Sequence, residues 1–266
     1  MPQKQVSRAT RGRVSGNGLI AANEVSVGDF REFVTRTGHR TDCEKHGGGW
    51  IVAAGRQWIQ KLDASWDNPY ISQEEQDPVV LVSWYDALLF ANWRSTHEGL
   101  SPVYKMTRVG NWWGVELDAN ADGYRLPTRA EWESAARAGD IEISPVSAKA
   151  GRTLGASRIA GLPPSPWCSD GTAGHRFEWC WDFLDPVLMP AGQDFDFGRM
   201  PTPRCCGDVS ISRHAEKEFS CCAGCEPLTA ASTLGFRLVK GAPISAVGPK
   251  ASRDSLIGQR SRFPDH

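Results

Sequence analysis

The chain has 266 residues, a net charge of −1 and 40% apolar content, enough to bury a sizeable core in one large domain or two small ones. Both charge signs are scattered, so there is no basic footprint for nucleic acid or for an anionic membrane. No run approaches the ~18 apolar residues that a membrane helix needs.

Residues 1–17 are rich in Arg, Ser and Gly, lack periodicity and read as a disordered lead-in; the first 13 have no apolar core of a signal peptide. A single domain is expected over 18–240, followed by a tail at 241–266. Residues 19–25 read as a short strand. Ser26 followed by Asp29 is a capping pattern, which predicts a helix with Val27, Phe30, Phe33 and Val34 inward and Gly38 as its stop. Residues 47–70 place Trp50, Trp58 and Trp66 among Gly, Asn and Asp. That predicts a long irregular excursion pinned by its indoles, with a sugar-stacking platform as the sharper alternative.

The apolar run 78–82 ends at Ser83, and Asp86 follows three residues later, predicting a second capped helix that carries Ala87, Leu88, Phe90, Ala91 and Trp93 and stops at Gly99. Residues 104–124 read as a hairpin around a turn at 118–123. The clearest punctuation is GYRLPTRAEWESAAR at 123–137. Here Thr128 is placed to accept a backbone N–H, Glu131 to reach back, and Pro127 to keep the preceding turn out of helix. Trp132, Ala135 and Ala136 on one face predict close, flat packing. Residues 140–166, dominated by Pro, Gly, Ser and Ala, read as a surface loop. At the end, Leu234, Phe236 and Leu238 alternate with Gly235, Arg237 and Val239, predicting an inner strand buried on one face.

GYRLPTRAEWESAARAG resembles the signature segment of the formylglycine-generating enzyme (sulfatase-modifying factor) family. Three further stretches agree in order: EVSVGDFREFV, then PVVLVSWYDALLFANW, then EWCWDF with the closing LGFRLVK. The resemblance implies an α+β domain with a C-type-lectin-like fold and much irregular structure. It also implies where catalysis would sit, on a closely spaced Cys pair between an Arg-Gly-Gly-Ser segment and the final GFR. Counted back from Gly235, those positions fall near Val209 and His214, and neither is Cys. Arg204-Cys205-Cys206-Gly207 stands where RGGS is expected, and the Cys221 and Cys225 pair lies too close to Gly235. Without a placed thiolate the family's oxidation of a substrate cysteine has no chemical group, so catalysis is not expected; an oxidase with displaced thiols is the alternative. The six His residues show no i, i+3 or i, i+4 pair for iron.

No cofactor is required on this reading, though two metals enter as possibilities. Glu178 matches a position where the family's GNVWEW motif contributes to a calcium site with backbone carbonyls, with His175 and Arg176 replacing the Asn and Val. The plainer alternative is a carboxylate that accepts backbone N–H bonds in a tight turn. Cys205, Cys206, Cys221, Cys222 and Cys225, with His214 between them, leave zinc, disulfides and simple loop packing open.

Between Asp182 and Leu234 the family's text is lost while both flanks keep it. This contrast resembles the variable ligand-binding proteins of diversity-generating retroelements, and the first half of the chain resembles their spirochaete-type members. The resemblance implies a monomeric, receptor-like protein, secreted or on the cell surface, that recognises an unknown protein or carbohydrate. Its display positions would be Asp208, Ser210, Ser212, His214, Glu216, Phe219, Cys222, Gly224, Glu226 and Leu228.

Overall fold

The computed structural model describes residues 11–13, 18–53, 57–109, 112–138, 177–184, 202–211, 217–224 and 226–241. In chain order the elements are β1 (Arg11–Arg13), β2 (Leu19–Ala21), α1 (Val27–Thr37), α2 (Asp42–His46), β3 (Gly49–Val52), β4 (Trp58–Lys61), α3 (Trp84–His97), β5 (Tyr104–Val109) and β6 (Trp112–Leu117). There follow β7 (Tyr124–Arg125), α4 (Arg129–Ala138), β8 (Phe177–Leu184), β9 (Thr202–Ile211), β10 (Lys217–Gly224), β11 (Leu234–Gly235) and β12 (Val239–Lys240). One sheet has the order β1-β2-β12-β7 and a second the order β10-β9-β8-β11; β3-β4 and β5-β6 are separate hairpins.

Each expected helix begins at the side chain that its sequence nominates. Ser26 Oγ accepts from Asp29 N at 3.1 Å, and Gly38, in the left-handed region at φ 66°, closes α1 by donating to Val34 O. Ser83 and Asp86 form a reciprocal capping box at the start of α3, Asp86 N to Ser83 Oγ at 3.0 Å and Ser83 N to Asp86 Oδ2 at 2.9 Å. Thr128 and Glu131 do the same for α4. Such caps are worth about 1 kcal/mol each. The helices then bury the expected faces: Val27, Phe30 and Phe33 on α1, most of α3, and Trp132 with Ala135 on α4. Phe30 lies at the centre of the core, stacked on Phe90 at 5.8 Å between centroids, with Phe33, Trp66 and Phe236 edge-on.

Several expectations need correction. Arg11–Arg13, inside the expected lead-in, pairs antiparallel with β2, which itself stops at Ala21. Residues 47–70 are not wholly irregular, because β3 and β4 form a hairpin with Trp50 opposite Gln60. Trp66 is buried beneath Arg31, whose guanidinium sits 5.1 Å from the ring centroid, so that indole offers no sugar platform. The β5-β6 hairpin turns between Val109 and Trp112, not at 118–123. The Asp118–Gly123 turn signals are genuine but belong to the exit toward β7, where Asp118 Oδ1 accepts from Asn120 N at 3.0 Å. The surface loop expected at 140–166 lies outside the described residues.

The closing segment departs most from expectation. It is not one strand buried on one face: β11 pairs parallel with β8, the chain crosses over, and β12 pairs antiparallel with β2 and β7. Leu234, Phe236, Arg237, Leu238 and Val239 are all buried, so both faces are covered. Alternation fails because Arg237, read as the solvent side, has a buried partner.

A polar cluster that no motif flagged joins α1, α2 and α3. Asp86 Oδ1 pairs with His39 Nε2 at 2.8 Å, Asp86 Oδ2 accepts from Asp42 N at 3.3 Å, and Ser83 Oγ donates to Asp42 Oδ2 at 2.5 Å. Burial, then the Asp86 charge, holds the Asp42 carboxyl above its ordinary range, against weaker pulls from Ser83, Lys45 and His46. A raised folded-state value means that the folded protein keeps this proton where the unfolded chain has lost it. That contribution is therefore present at acid pH and lost as pH rises through the folded value. Asp42→Asn should gain stability relative to the unmodified protein as pH goes from about 4 to 7, measured as the difference in urea midpoint; a constant difference would refute the assignment.

Gly235 shows how tightly the closing segment is held. A Cβ there would lie 2.6 Å from Val79 O and 3.0 Å from Glu24 Oε1. Overpacking against backbone typically costs ~1–3 kcal/mol, so Gly235→Ala should lower the melting temperature by roughly 2–12 °C in a chain of this size, readable by circular dichroism.

Candidate functional site

The candidate site is built outward from β8. Its sequence, FEWCWDFL, is apolar enough to be covered on both faces, and Trp179 and Cys180 are fully buried. Trp179 Nε1 donates to Val82 O at 3.0 Å and Trp84 Nε1 to Cys180 O at 3.0 Å, which locks β8 to the start of α3. Trp181 is half-buried and stacks on both Trp84 and Tyr104. Asp182 accepts from Arg129 N, placing a carboxylate at the N-terminus of α4 where the helix dipole favours it.

Glu178 holds the centre. Arg237 Nε donates to Glu178 Oε2 at 2.5 Å and Arg237 Nη2 to Oε1 at 2.6 Å, a two-pronged bridge with both side chains inaccessible to solvent. Arg237 Nη1 also donates to Ala21 O at 3.1 Å and Ala22 O at 2.6 Å. Burial alone would lower the guanidinium pKa, but the charge and hydrogen bonds of Glu178 outweigh it and the net shift is upward. Glu178 therefore does not sit in a tight turn collecting backbone N–H bonds; it is a strand residue gripping a cation.

This donor set does not fit calcium. Both Glu178 oxygens point at a guanidinium, and among the described residues no group of three or more His, Cys, Asp or Glu is placed to hold a metal. His175, Arg176, His214 and Cys225 lie outside the described residues.

β9 and β10 extend the sheet outward from β8. Glu178 stands opposite Cys206 and Trp179 opposite Cys205; on the far side of β9, Val209 is opposite Phe219, Ser210 opposite Glu218 and Ile211 opposite Lys217. Because neighbours on a strand alternate faces and opposite residues share one, Ser210 and Glu218 take one face of the hairpin, while Val209, Ile211, Lys217 and Phe219 take the other; Asp208 falls within the register shift between Val209 and Cys206. The expected display set is thus split. Ser210 stands opposite Glu218, Phe219 falls on the other face, Asp208 lies within one register shift, and Cys222 and Gly224 lie on β10 beyond it. Glu226 is exposed, whereas Leu228 packs against the core. Ser212, His214 and Glu216 lie outside the described residues. Glu218, in register with Ser210, was not among the expected display positions, and only the strand pairing brings it beside one of them.

The sequence model of the sulfatase-modifying factor enzyme 1-like domain matches residues 13–242. The chain belongs to this formylglycine-generating enzyme family. Its fold is α+β of that type, with much irregular structure. The chain is 39% identical over 95 residues to the chaperone protein LppX of Paenibacillus barcinonensis, a match covering 32% of this chain and 33% of that one. It is 28% identical to the formylglycine-generating enzyme of Bos taurus, over 88% of this chain and 68% of the enzyme. Among solved structures, Treponema denticola variable protein 1 is similar with a TM-score of 0.45 and 21% identity, over 88% of this chain and 92% of that one. The chain spans about a third of the length of the first of these relatives. No described helix is long and apolar enough to cross a membrane.

Removing one partner of a buried ion pair leaves an uncompensated charge and costs about 3–5 kcal/mol, whereas replacing both by apolar groups is far milder. Glu178→Gln should accordingly destabilise strongly, and Glu178→Met with Arg237→Met should recover most of the loss in a denaturant titration. The unmodified protein should melt equally in calcium and in chelator; a calcium-dependent rise would reinstate the ion site.

Proposed function

We propose that this chain is a non-catalytic, receptor-like member of its family that binds a protein or carbohydrate ligand through the polar face of the β9-β10 hairpin. The observation that carries the reading is the setting of Val209. Where the family resemblance calls for the first cysteine of the catalytic pair, the chain has a valine in the middle of β9, in register with Phe219. An aliphatic side chain has no thiolate to bind copper or to relay electrons from a substrate cysteine.

The frame supports this reading because its stability depends on other residues. The Glu178–Arg237 bridge, the capped helices and the aromatic cluster around Phe30 are built from residues outside β9 and β10. Loops and edges held by such a frame accept substitution without unfolding it. A diversified, retroelement-variable surface is the finer form of the proposal, and sister isolates should then concentrate their coding changes in the window between Asp182 and Leu234.

An oxidase acting on a substrate cysteine is the second reading, favoured by 28% identity to the Bos taurus enzyme across 88% of the chain. The two separate cleanly. Changing Asp208, Ser210 and Glu218 together to Ala should shift the melting temperature by no more than a surface substitution does, within ~0.5 kcal/mol each, while abolishing capture of the cognate ligand in a surface screen. Oxygen consumption on a cysteine-containing peptide in the presence of copper, lost on changing Cys221 or Cys225 to Ser, would instead establish the oxidase.

A further inference from the structure

Cys206 and Cys221 face each other across β9 and β10. They are direct partners in the antiparallel register, and Glu178 on β8 continues the same row. Opposite residues in an antiparallel pair have Cα atoms about 4.5–5.5 Å apart. A disulfide bridges Cα separations of about 4.4–6.8 Å, so directly paired positions fall within its reach.

The irregularity of the pairing strengthens the point. Val209 opposite Phe219 and Arg204 opposite Gly224 share one register, in which Cys206 would stand opposite Cys222; the shift at Cys221 brings Cys221 opposite instead. In either register Cys206 meets a cysteine. The two cysteines described at atomic detail elsewhere do not compete for it. Cys43 and Cys180 are both buried, and burial, followed by the Asp86 and Asp42 charges, pushes the Cys43 thiol up to about 12, where little thiolate forms.

We propose that Cys206 and Cys221 form a cross-strand disulfide that staples β10 to β9, whatever the hairpin binds. The oxidant is a small-molecule disulfide of the glutathione type. A thiolate of the pair attacks that disulfide, forming a mixed disulfide and releasing one glutathione thiolate. The second cysteine then attacks the protein sulfur, closing the Cys206–Cys221 bond and expelling the other. The protein gives up two electrons and two protons; one glutathione disulfide becomes two thiols.

The full chain, equilibrated with oxidised glutathione, blocked with N-ethylmaleimide and digested with trypsin, should yield the peptide 205–213 joined to the peptide 218–237. Reduction before blocking should remove the joined species. Cys206→Ser and Cys221→Ser should each abolish it, whereas Cys205→Ser should retain it. Recovery of both peptides from the unmodified protein with every thiol alkylated would overturn the proposal, and so would a joined species that persists in Cys206→Ser or Cys221→Ser.

Discussion

The buried ion pair of Glu178 with Arg237 ties together the two halves of this fold. Glu178 belongs to β8 in one sheet and Arg237 to the segment that crosses into the other. Their bridge, with two further bonds from Arg237 to the carbonyls of Ala21 and Ala22, therefore joins both sheets at one point. Two charges without water are tolerated there only because each satisfies the other in a bidentate geometry. The bridge explains why the closing segment can be buried on both faces, and why both Glu178 oxygens are turned toward a guanidinium.

Around that point the chain is anchored mostly by backbone. Val25 N donates to Phe236 O and Phe177 N to Thr233 O; Trp50 N donates to Ala230 O and Leu81 N to Ala231 O. Each contact runs between segments far apart in sequence. The segment 226–241 thus threads between the helical half and the sheet, and β9 and β10 project from the opposite edge of β8. The proposed display role rests on this division, a cross-braced frame with a hairpin added at the far edge of β8 and passing beside α4.

Much of the frame was legible in the sequence because its signals are local. A cap such as Ser83 with Asp86 needs only three residues of spacing, and Gly38 needs only its own φ, so α1, α3 and α4 follow from the text alone. Elements set by distant partners were not legible. Nothing near Arg237 announces that Glu178, 59 residues earlier, will bury it, and nothing near His39 announces Asp86. The β5-β6 hairpin was misplaced for a related reason, since two turn-forming stretches, at 110–111 and 118–123, compete and only the pairing of β5 with β6 chooses between them. For the display surface, the window between Asp182 and Leu234 was visible as a loss of family text. Its division into faces was not, because face assignment requires the strand register.

Amide hydrogen exchange read residue by residue tests the central claim most directly. If the frame is braced by the Glu178–Arg237 bridge and the hairpin is only appended to it, the amides of Phe177, Trp181, Leu234 and Val25 should exchange only through global unfolding. Those of β10 should exchange through a separate, lower-energy opening, faster by a factor of roughly 100 or more. Equal protection of β10 and β8, both rising and falling together with denaturant, would show that the hairpin is part of the cooperative core and would contradict the account.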